Sequence, residues 1–191
     1  MRQDTSRWTP VTTERLLLRR IMDTDHSAAV RIHTDPRTTR YNRKPPTIEK
    51  AEELLEFFLG HWNREGFGYW AVAEREQPET VIGFTGLHRA VVAGREVLNL
   101  YYRYDPSVWR RGYATEGARE AVRRGRELLP ELPVLASMSD RNLASVKTAR
   151  AAGLQRRTSL DRQIGRDVDI YFTLGWLDGP DRKRPRYAGQ R

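Results

Sequence analysis

Apolar and polar positions along the chain follow two periods, one typical of helices and one typical of short strands. Residues 47–62 show the helical period, because apolar side chains recur there every three or four positions. Apolar runs bounded by turn residues predict strands at 13–20, 69–73, 80–87, 97–104, 134–138 and 167–175. Further helices are predicted at 24–34, 113–129 and 142–152. This order predicts one mixed α/β domain with an antiparallel centre.

Length and composition agree with a single domain. With 191 residues, of which 38% are hydrophobic and 31% charged, the chain suffices for one sizeable α/β domain and is short for two. It has no cysteine, which excludes disulfides, thiolate metal ligands and cysteine nucleophiles. The sequence shows neither an apolar run of membrane-spanning length nor the apolar segment of a secretory signal. We therefore expect a cytoplasmic protein without a membrane partner.

The formal net charge of +9 arises partly from a basic C-terminal segment. Residues 181–191 contain five basic residues and one acidic residue. A solvated tail explains this composition, and attraction to a polyanion such as RNA is the alternative. Because zinc-finger spacing and RNP-type motifs are absent from the sequence, we expect no nucleic-acid partner. We place the folded domain at residues 11–176 and a basic, flexible tail at residues 177–191.

Two arginines and a glycine lie between a predicted strand and a predicted helix. The stretch reads Trp109-Arg110-Arg111-Gly112-Tyr113-Ala114 and follows the aromatic strand at 97–104. The first amides of a helix have no partner within the helix and lie at the positive end of its dipole. A glycine there lets the backbone approach a ligand closely. The stretch therefore predicts an anion site that suits a phosphate or pyrophosphate group.

A second motif follows this loop by about one helix and one strand. Asn142-Leu143-Ala144-Ser145 opens a predicted helix, and Gly153-Leu154 closes it. With the two motifs in this order, the chain resembles the Gcn5-related N-acetyltransferase (GNAT) superfamily and, within it, the RimJ/RimL-type protein N-terminal acetyltransferases. The resemblance covers residues 11–176. The other residues that carry it are 13–19, Ile82-Gly83, Tyr102 and 109–117.

The resemblance implies acetyl-CoA as the donor, no metal ion and an α/β fold. In that fold a mixed, mostly antiparallel sheet is flanked by helices, and its fourth and fifth strands splay apart to admit the pantetheine arm. The family's arginine-glycine loop wraps the pyrophosphate of coenzyme A. In RimL-type enzymes the serine matching Ser145 is proposed to protonate the departing thiolate, which makes Ser145 the catalytic candidate. The residues carried over as coenzyme-A-binding are Leu100, Tyr101, Tyr102, Arg110, Arg111, Gly112, Tyr113, Ala114 and Asn142.

One departure from the family pattern concerns the proton that the acceptor amine must lose. Since no cysteine can carry the acetyl group, the amine attacks directly and passes through an oxyanion that a fourth-strand amide can stabilise. RimL-like proteins often have a glutamate in the fourth strand for the deprotonation, where this chain has Asn99. Glu96 lies three residues upstream and would face the other side. For His88 the alternatives are a general base and a loop histidine, of which we expect the loop histidine. We expect His33 and His61 at ordinary amphipathic positions of helices.

These residues predict transfer of an acetyl group to a primary amine, with a protein N-terminal α-amine as the acceptor. An α-amine, with a pKa near ~8, needs less help to lose its proton than a lysine, whose pKa is near ~10. A small amine is an alternative acceptor. A CoA-binding regulatory protein without turnover is the other alternative, because the strand glutamate is missing. The sequence leaves a homodimer open.

Several candidate residues have both a structural and a functional interpretation. Asp167 and Asp169 are suited to recognising an ammonium group, although we expect them on the outward face of the final strand. Tyr41, Trp62 and Trp70 fall in segments where the family builds its acceptor pocket. Core packing explains Trp70 equally well.

Overall fold

The computed structural model describes residues 7–44 and 46–177. The predicted tail therefore lies outside the described residues, except for its first residue. The strands are β1 (Val11–Thr12), β2 (Leu16–Arg20), β3 (Tyr69–Glu74), β4 (Gln77–Val92), β5 (Arg95–Tyr104), β6 (Val134–Ser139), β7 (Gln155–Arg156), β8 (Arg162–Ile164) and β9 (Asp167–Leu174). The α-helices are α1 (His26–Thr34), α2 (Pro36–Thr39), α3 (Ile48–Glu65), α4 (Tyr113–Leu128) and α5 (Leu143–Ala151). None of these described helices combines the length and apolarity needed to cross a membrane.

The described strands form one sheet in the order β1-β2-β3-β4-β5-β6-β9-β7, with β8 paired to β9. Only β5 and β6 run parallel, and in the described part of the chain they pair only at Leu98–Val134 and Asn99–Leu135. β4 and β5, in contrast, pair along their length from Gly83–Tyr104 to Val92–Arg95. β5 and β6 therefore part beyond Asn99. β5 and β6 correspond to the fourth and fifth predicted strands. The prediction of a mostly antiparallel sheet in which these two strands splay apart is therefore confirmed.

Helices cover both faces of this sheet. The side chains of β4, which alternate between the two faces, show which helices cover each face. Phe84 packs with Ile32 of α1 and Phe58 of α3, whereas Leu87 packs with residues of α4 such as Ala121. We call the two sides the α3 face and the α4 face. Successive residues of a strand point to opposite faces. Leu100 and Tyr102 of β5 consequently belong to the α4 face, and Asn99, Tyr101 and Arg103 to the α3 face.

The strand β4 continues five residues further than the sequence pattern predicts. The polar pair His88-Arg89 reads as the beginning of a loop, yet pairing with β5 runs to Val92. A two-residue turn, Ala93-Gly94, joins the strands with φ angles of 51° and 74°. Such left-handed turns match the twist of paired strands. The prediction that His88 lies in a loop is therefore wrong, because the tight turn keeps it inside the ladder.

Glycines bring α4 close to the sheet and thereby position its N-terminal end. A Cβ on Gly117 would overlap the Tyr104 hydroxyl and lie 2.9 Å from Thr85. A Cβ on Gly125 would lie 3.1 Å from Leu98. Only hydrogen atoms at these positions allow the helix to pack at this distance. The first turn of α4 is thus fixed at the end of β5, beside the gap between β5 and β6.

Candidate active site

The arginine-glycine loop presents a row of unused backbone donors. Arg110 and Gly112 have left-handed backbones with φ of 64° and 84°, and Gly112 is the N-cap of α4. The first amide of the turn that finds a partner is that of Glu116, which donates to the Gly112 carbonyl at 3.1 Å. Among the described residues, nothing accepts a hydrogen bond from the backbone N–H groups of residues 110–115. Successive N–H groups in such a turn form a concave anion site.

A carboxylate in the first turn of α4 fastens this loop to the start of the sheet. Glu116 accepts hydrogen bonds from the Thr13 hydroxyl at 2.6 Å, the Arg15 N–H at 2.8 Å and the Arg15 Nε at 2.7 Å. Arg15 Nη1 also donates to the Arg111 carbonyl at 2.8 Å. Partial burial opposes ionisation of Glu116, but these hydrogen bonds outweigh it and hold the pKa of the carboxyl below its usual value. The loop is therefore held in place before a ligand binds.

The two loop arginines have different surroundings. Arg111 forms an ion pair with Glu74 at 2.8 Å, and its guanidinium lies 4.8 Å from the centre of the Tyr113 ring. The Arg15 guanidinium packs on the same ring at the same distance. Arg110 is exposed and forms no ion pair within residues 7–44 and 46–177. Arg110 is thus the more available of the two for a bound anion.

The gap between β5 and β6 lies next to this loop. The Leu98 N–H donates to the Pro133 carbonyl on the β6 side at 2.9 Å. Because backbone direction alternates along a strand, Leu100 and Tyr102 also turn their N–H and C=O groups to that side. The Asn99–Leu135 pair engages the Leu100 N–H with the Leu135 carbonyl, and beyond it, in the described part of the chain, the Leu100 carbonyl and both groups of Tyr102 have no β6 partner. They form an open strand edge inside the gap. Such an edge can pair with an extended ligand that carries amide groups.

The second motif lies across the gap from β5. Asn142 caps α5, because its Oδ1 accepts the Ser145 N–H at 3.1 Å. The Tyr102 hydroxyl donates to the Ser145 carbonyl at 2.8 Å. Both backbone groups of Ser145 are therefore held, while its side chain is only partly buried. The structure brings Ser145, Asn142 and Tyr102 together at the gap, and their roles in binding and catalysis stay predictions.

On the α3 face, three polar side chains meet where β5 and β6 part. His88 lies directly opposite Asn99 in the β4–β5 ladder. The Tyr69 hydroxyl bonds His88 Nδ1, and Asn99 Nδ2 donates to the Tyr69 oxygen at 2.9 Å. Burial, assisted by the neighbouring His61, lowers the pKa of His88 to about 4, so that the imidazole is neutral near pH 7. Sequence reasoning missed Tyr69, because only the strand register brings it to Asn99.

The other two candidate histidines are buried structural residues. His33 Nδ1 bonds the Ala29 carbonyl at 2.8 Å, and the Tyr101 hydroxyl meets His33 Nε2 at 2.9 Å. His61 Nδ1 bonds the Phe67 carbonyl at 2.8 Å, and its Nε2 accepts from a backbone N–H of β4. Both therefore occupy the core side of their helices and have both ring nitrogens engaged.

A pocket of about 280 Å³ opens on the same side of the sheet, at the far ends of β6 and β9. Its lining residues are Tyr41, Asn42, Arg43, Ser139, Asp167 and Asp169. Arg43 pairs with Asp169 at 2.5 Å, and Arg141 pairs with Asp167. The two aspartates are thus pocket residues with arginine partners, and not simply the outward face of a strand as the sequence suggested.

Of the three aromatic residues considered for this pocket, only Tyr41 lines it. Trp62 and Trp70 are 1% and 0% exposed and belong to the hydrophobic core. The Trp62 indole N–H donates to the Tyr69 carbonyl at 2.5 Å, and that of Trp70 donates to the Trp8 carbonyl at 2.8 Å. Both indoles are therefore satisfied inside the protein, and the core interpretation holds for them.

Comparison with known proteins agrees with this geometry. Residues 15–155 match the family described as acetyltransferase (GNAT) domain. The chain is 28% identical over 168 residues to the uncharacterized N-acetyltransferase YoaA of Bacillus subtilis (strain 168), covering 84% of this chain and 91% of that protein. Two solved structures share the fold, the first being a Vibrio cholerae spermidine N-acetyltransferase in complex with CoA and spermine, with 15% identity, TM-score 0.69 and coverage of 85% and 96%. The second is a Vibrio fischeri ribosomal-protein-S5-alanine acetyltransferase, with 15% identity, TM-score 0.65 and coverage of 87% and 96%.

Proposed function

The chain belongs to the GNAT family of acetyltransferases, and from that premise we propose that it acetylates the N-terminal α-amine of a protein. It is an N-acetyltransferase that uses acetyl-CoA. The acceptor and the roles of individual residues are the proposal. Its main support is the pair of surfaces on either side of the β5–β6 gap, one rich in backbone donors and the other leading to a pocket.

The donor side fits the chemistry of coenzyme A. The free N–H groups of residues 110–115 and the unpaired Arg110 suit a pyrophosphate, which carries negative charge and many acceptor oxygens. Close approach depends on Gly112, and Arg111, Tyr113 and Ala114 complete the turn. The open edge at the Leu100 carbonyl and Tyr102 suits the amide groups of the pantetheine arm, and Asn142 contacts that arm from α5.

The acceptor side supports a peptide more than a polyamine. Asn99 and Arg103 are four residues apart on β5, which corresponds to about 13 Å along a strand. Arg103 reaches Asn42 of the pocket at 3.4 Å, so the path from the gap to the pocket is about as long as four extended residues. The pocket carboxylates, Asp167 and Asp169, already have arginine partners. A polycation would have to displace them, whereas a peptide brings one ammonium group and many backbone hydrogen bonds.

The residues support direct transfer. The amine nitrogen bonds to the thioester carbon, the C–S bond breaks, and the amine releases one proton to water. A β5 backbone N–H at the gap, such as that of Tyr102, stabilises the oxyanion. Ser145 donates a proton to the departing thiolate and regains one from the water that received the amine proton. Its backbone is held at both ends by Asn142 and Tyr102, which keeps the hydroxyl near the gap.

The test compares acceptors under identical conditions. Acetyl-CoA and the protein are incubated with a panel of peptides that have free N-termini, with the same peptides blocked at the α-amine, and with spermidine. Free thiol release and product mass are the readouts. We expect release with the free peptides and none with their blocked forms. Faster turnover of spermidine than of every peptide would refute the proposed acceptor.

A further inference from the structure

We propose that Asn99 receives the acceptor amine through its side-chain carbonyl, and that Tyr69 and His88 are positioning residues that hold the Asn99 amide in the orientation this requires. The inference rests on the proposed function in one respect only, namely that the acceptor is an amine approaching from the α3 face. It does not depend on which amine is used. It assigns a role to a position where the resemblance leads one to expect a carboxylate.

Asn99 occupies the point at which the two splayed strands separate. It forms the last β5–β6 pair, with Leu135, and the next β5 residue already borders the gap. Its side chain points to the α3 face, together with Tyr101 and Arg103, whereas the arginine-glycine loop and α5 lie on the α4 face. An acetyl group that enters the gap from the α4 face therefore approaches Asn99 from that face. An amine that comes from the pocket approaches Asn99 from the α3 face.

The surrounding hydrogen bonds determine which end of the Asn99 amide faces the gap. Asn99 Nδ2 donates to the Tyr69 oxygen at 2.9 Å and lies 3.5 Å from His88 Nδ1. The Tyr69 hydroxyl bonds His88 Nδ1, and it donates this hydrogen bond when the neutral imidazole carries its proton on Nε2. Among the described residues, none donates a hydrogen bond to Asn99 Oδ1. The amide nitrogen is thus turned toward β3 and β4, and the carbonyl oxygen remains available to an incoming N–H group.

The neutral state of His88 fixes the donor and the acceptor of each hydrogen bond in the chain from Asn99 through Tyr69 to His88. The groups that face its ring are Tyr69 of β3, Asn99 of β5, and Phe57 and His61 of α3, whose rings lie 5.3 Å and 5.6 Å away. None of them is a carboxylate that would favour an imidazolium. A neutral imidazole with a free Nδ1 accepts from Tyr69, and Tyr69 can then accept from the asparagine. Tyr69 is 4% exposed, so it has no water as an easy substitute.

A carbonyl at this position has a chemical consequence that a carboxylate would not have. A carboxylate attracts an ammonium ion and stabilises the unreactive, protonated form of the acceptor. A neutral carbonyl has no net charge, so its preference for the ammonium form is much weaker, and it also accepts an N–H from the free amine. The amine is oriented with its lone pair available, and its surplus proton leaves to water. Such a site works best with amines of modest pKa, which is the property of an N-terminal α-amine.

The test combines Asn99→Leu and Tyr69→Phe, singly and together, and uses whichever amine the wild-type protein acetylates fastest. If that amine is not a peptide α-amine, the proposed function is refuted, but the role of Asn99 is still tested. We expect Asn99→Leu to raise the KM for the amine about tenfold, as the loss of one hydrogen bond does, and to leave the Kd for acetyl-CoA within twofold. Tyr69→Phe should raise the same KM about threefold. An unchanged amine KM in Asn99→Leu would overturn the proposal.

The double variant separates positioning from a general structural effect. If Tyr69 acts only through Asn99, Tyr69→Phe adds nothing in the Asn99→Leu background. A full additional threefold increase would remove Tyr69 from the proposal. Tyr104→Phe is the matched control, since it deletes a buried hydroxyl on the α4 face for which the described residues offer no hydrogen-bond partner. It should leave the amine KM unchanged. A milder Asn99→Ala variant, measured in the same way, replaces Asn99→Leu if the leucine prevents folding.

Discussion

The two sides of the β5–β6 gap are built from different parts of the chain. On the α4 face, the arginine-glycine loop is one continuous segment whose unpaired groups are backbone amides of residues 110–115. On the α3 face, the cluster around Asn99 takes one side chain from each of β3, β4 and β5, and the pocket adds residues from the loop after α2. A binding site made of backbone groups depends on particular φ angles, and few of its positions require a particular side chain. A site made of side chains needs the complete strand register.

The largest effect should come from disrupting the backbone site. Gly112→Asp places a side chain where φ is 84° and the Arg15 guanidinium is 3.3 Å away, and it adds negative charge at the proposed pyrophosphate site. We expect acetyl-CoA affinity to fall by about 100-fold or more, which corresponds to the loss of one or two charge-assisted hydrogen bonds. Isothermal titration calorimetry measures this directly. An affinity equal to that of the wild type would refute the assignment of the loop.

A matched control for this substitution lies in the turn between β8 and β9. Gly165 also has a positive φ, of 61°, and a Cβ there would meet nothing within 4 Å. Gly165→Asp therefore introduces similar backbone strain and the same charge away from the loop. Its acetyl-CoA affinity should match that of the wild type.

A smaller effect, on turnover, is expected at Ser145. Ser145→Ala removes the hydroxyl that we propose as the proton donor to the thiolate, while the backbone contacts to Asn142 and Tyr102 remain. We expect kcat to fall about 30-fold, which is less than the ~100-fold or more typical of general acids because water can also protonate a thiolate, and the acetyl-CoA Kd to change less than twofold. Steady-state kinetics and calorimetry together separate the two. Ser159→Ala, at an exposed site, is the control, and equal kcat values in both variants would exclude Ser145 from the mechanism.

The anchor of the loop should give a weaker, pH-dependent effect. Glu116→Gln weakens the contacts with Arg15 that hold the Arg111 carbonyl, and we expect about fivefold poorer acetyl-CoA binding. Because the folded protein lowers the pKa of Glu116, its ionised form stabilises the fold above the unfolded pKa of about 4.3. That stabilisation is lost as pH falls through the lower, folded value. Denaturant unfolding should show a stability difference from wild type at pH 7 that disappears in acid, and a constant difference would contradict this account.

The smallest effect concerns the acceptor pocket. Arg43→Ala releases Asp169 from its ion pair, which is exposed enough to contribute little stability. The freed carboxylate should attract cationic acceptors, so that the KM for spermidine falls about threefold. Arg37→Ala breaks another arginine–aspartate pair, with Asp35, outside the lining of the pocket, and serves as the control. A spermidine KM that responds equally to both variants would show that Asp169 does not face the acceptor.

The difference between the two sides also explains what the sequence could predict. Gly112, Ser145 and the strand–loop–helix order are local features, and the structure places them together at the gap. The continuation of β4 past His88 depends on the left-handed Ala93-Gly94 turn, which the polar pattern conceals. The short strands β1, β7 and β8 exist only through pairing with β2 and β9. No local pattern predicts such strands.

Side-chain clusters were the least predictable features. Tyr69 lies thirty residues from Asn99 in sequence, and only the register of three strands brings their side chains to 2.9 Å. The pairing of Asp167 and Asp169 with Arg141 and Arg43 likewise joins distant segments. Trp62 and Trp70 show the converse problem, in which the sequence offers a pocket candidate that proves to be a core residue. An aromatic side chain in a suitable segment is equally able to fill the core. The acceptor side therefore had to be read from the structure.

The central claim, transfer of acetyl to an N-terminal α-amine, is tested most directly by locating the acetyl group on a product. A single peptide with a free N-terminus and an internal lysine is incubated at pH 7 with acetyl-CoA and the protein, and fragment masses identify the modified residue. The account predicts acetylation at the α-amine, whose lower pKa leaves more of it unprotonated at this pH. Acetylation at the lysine with an unmodified N-terminus would contradict it.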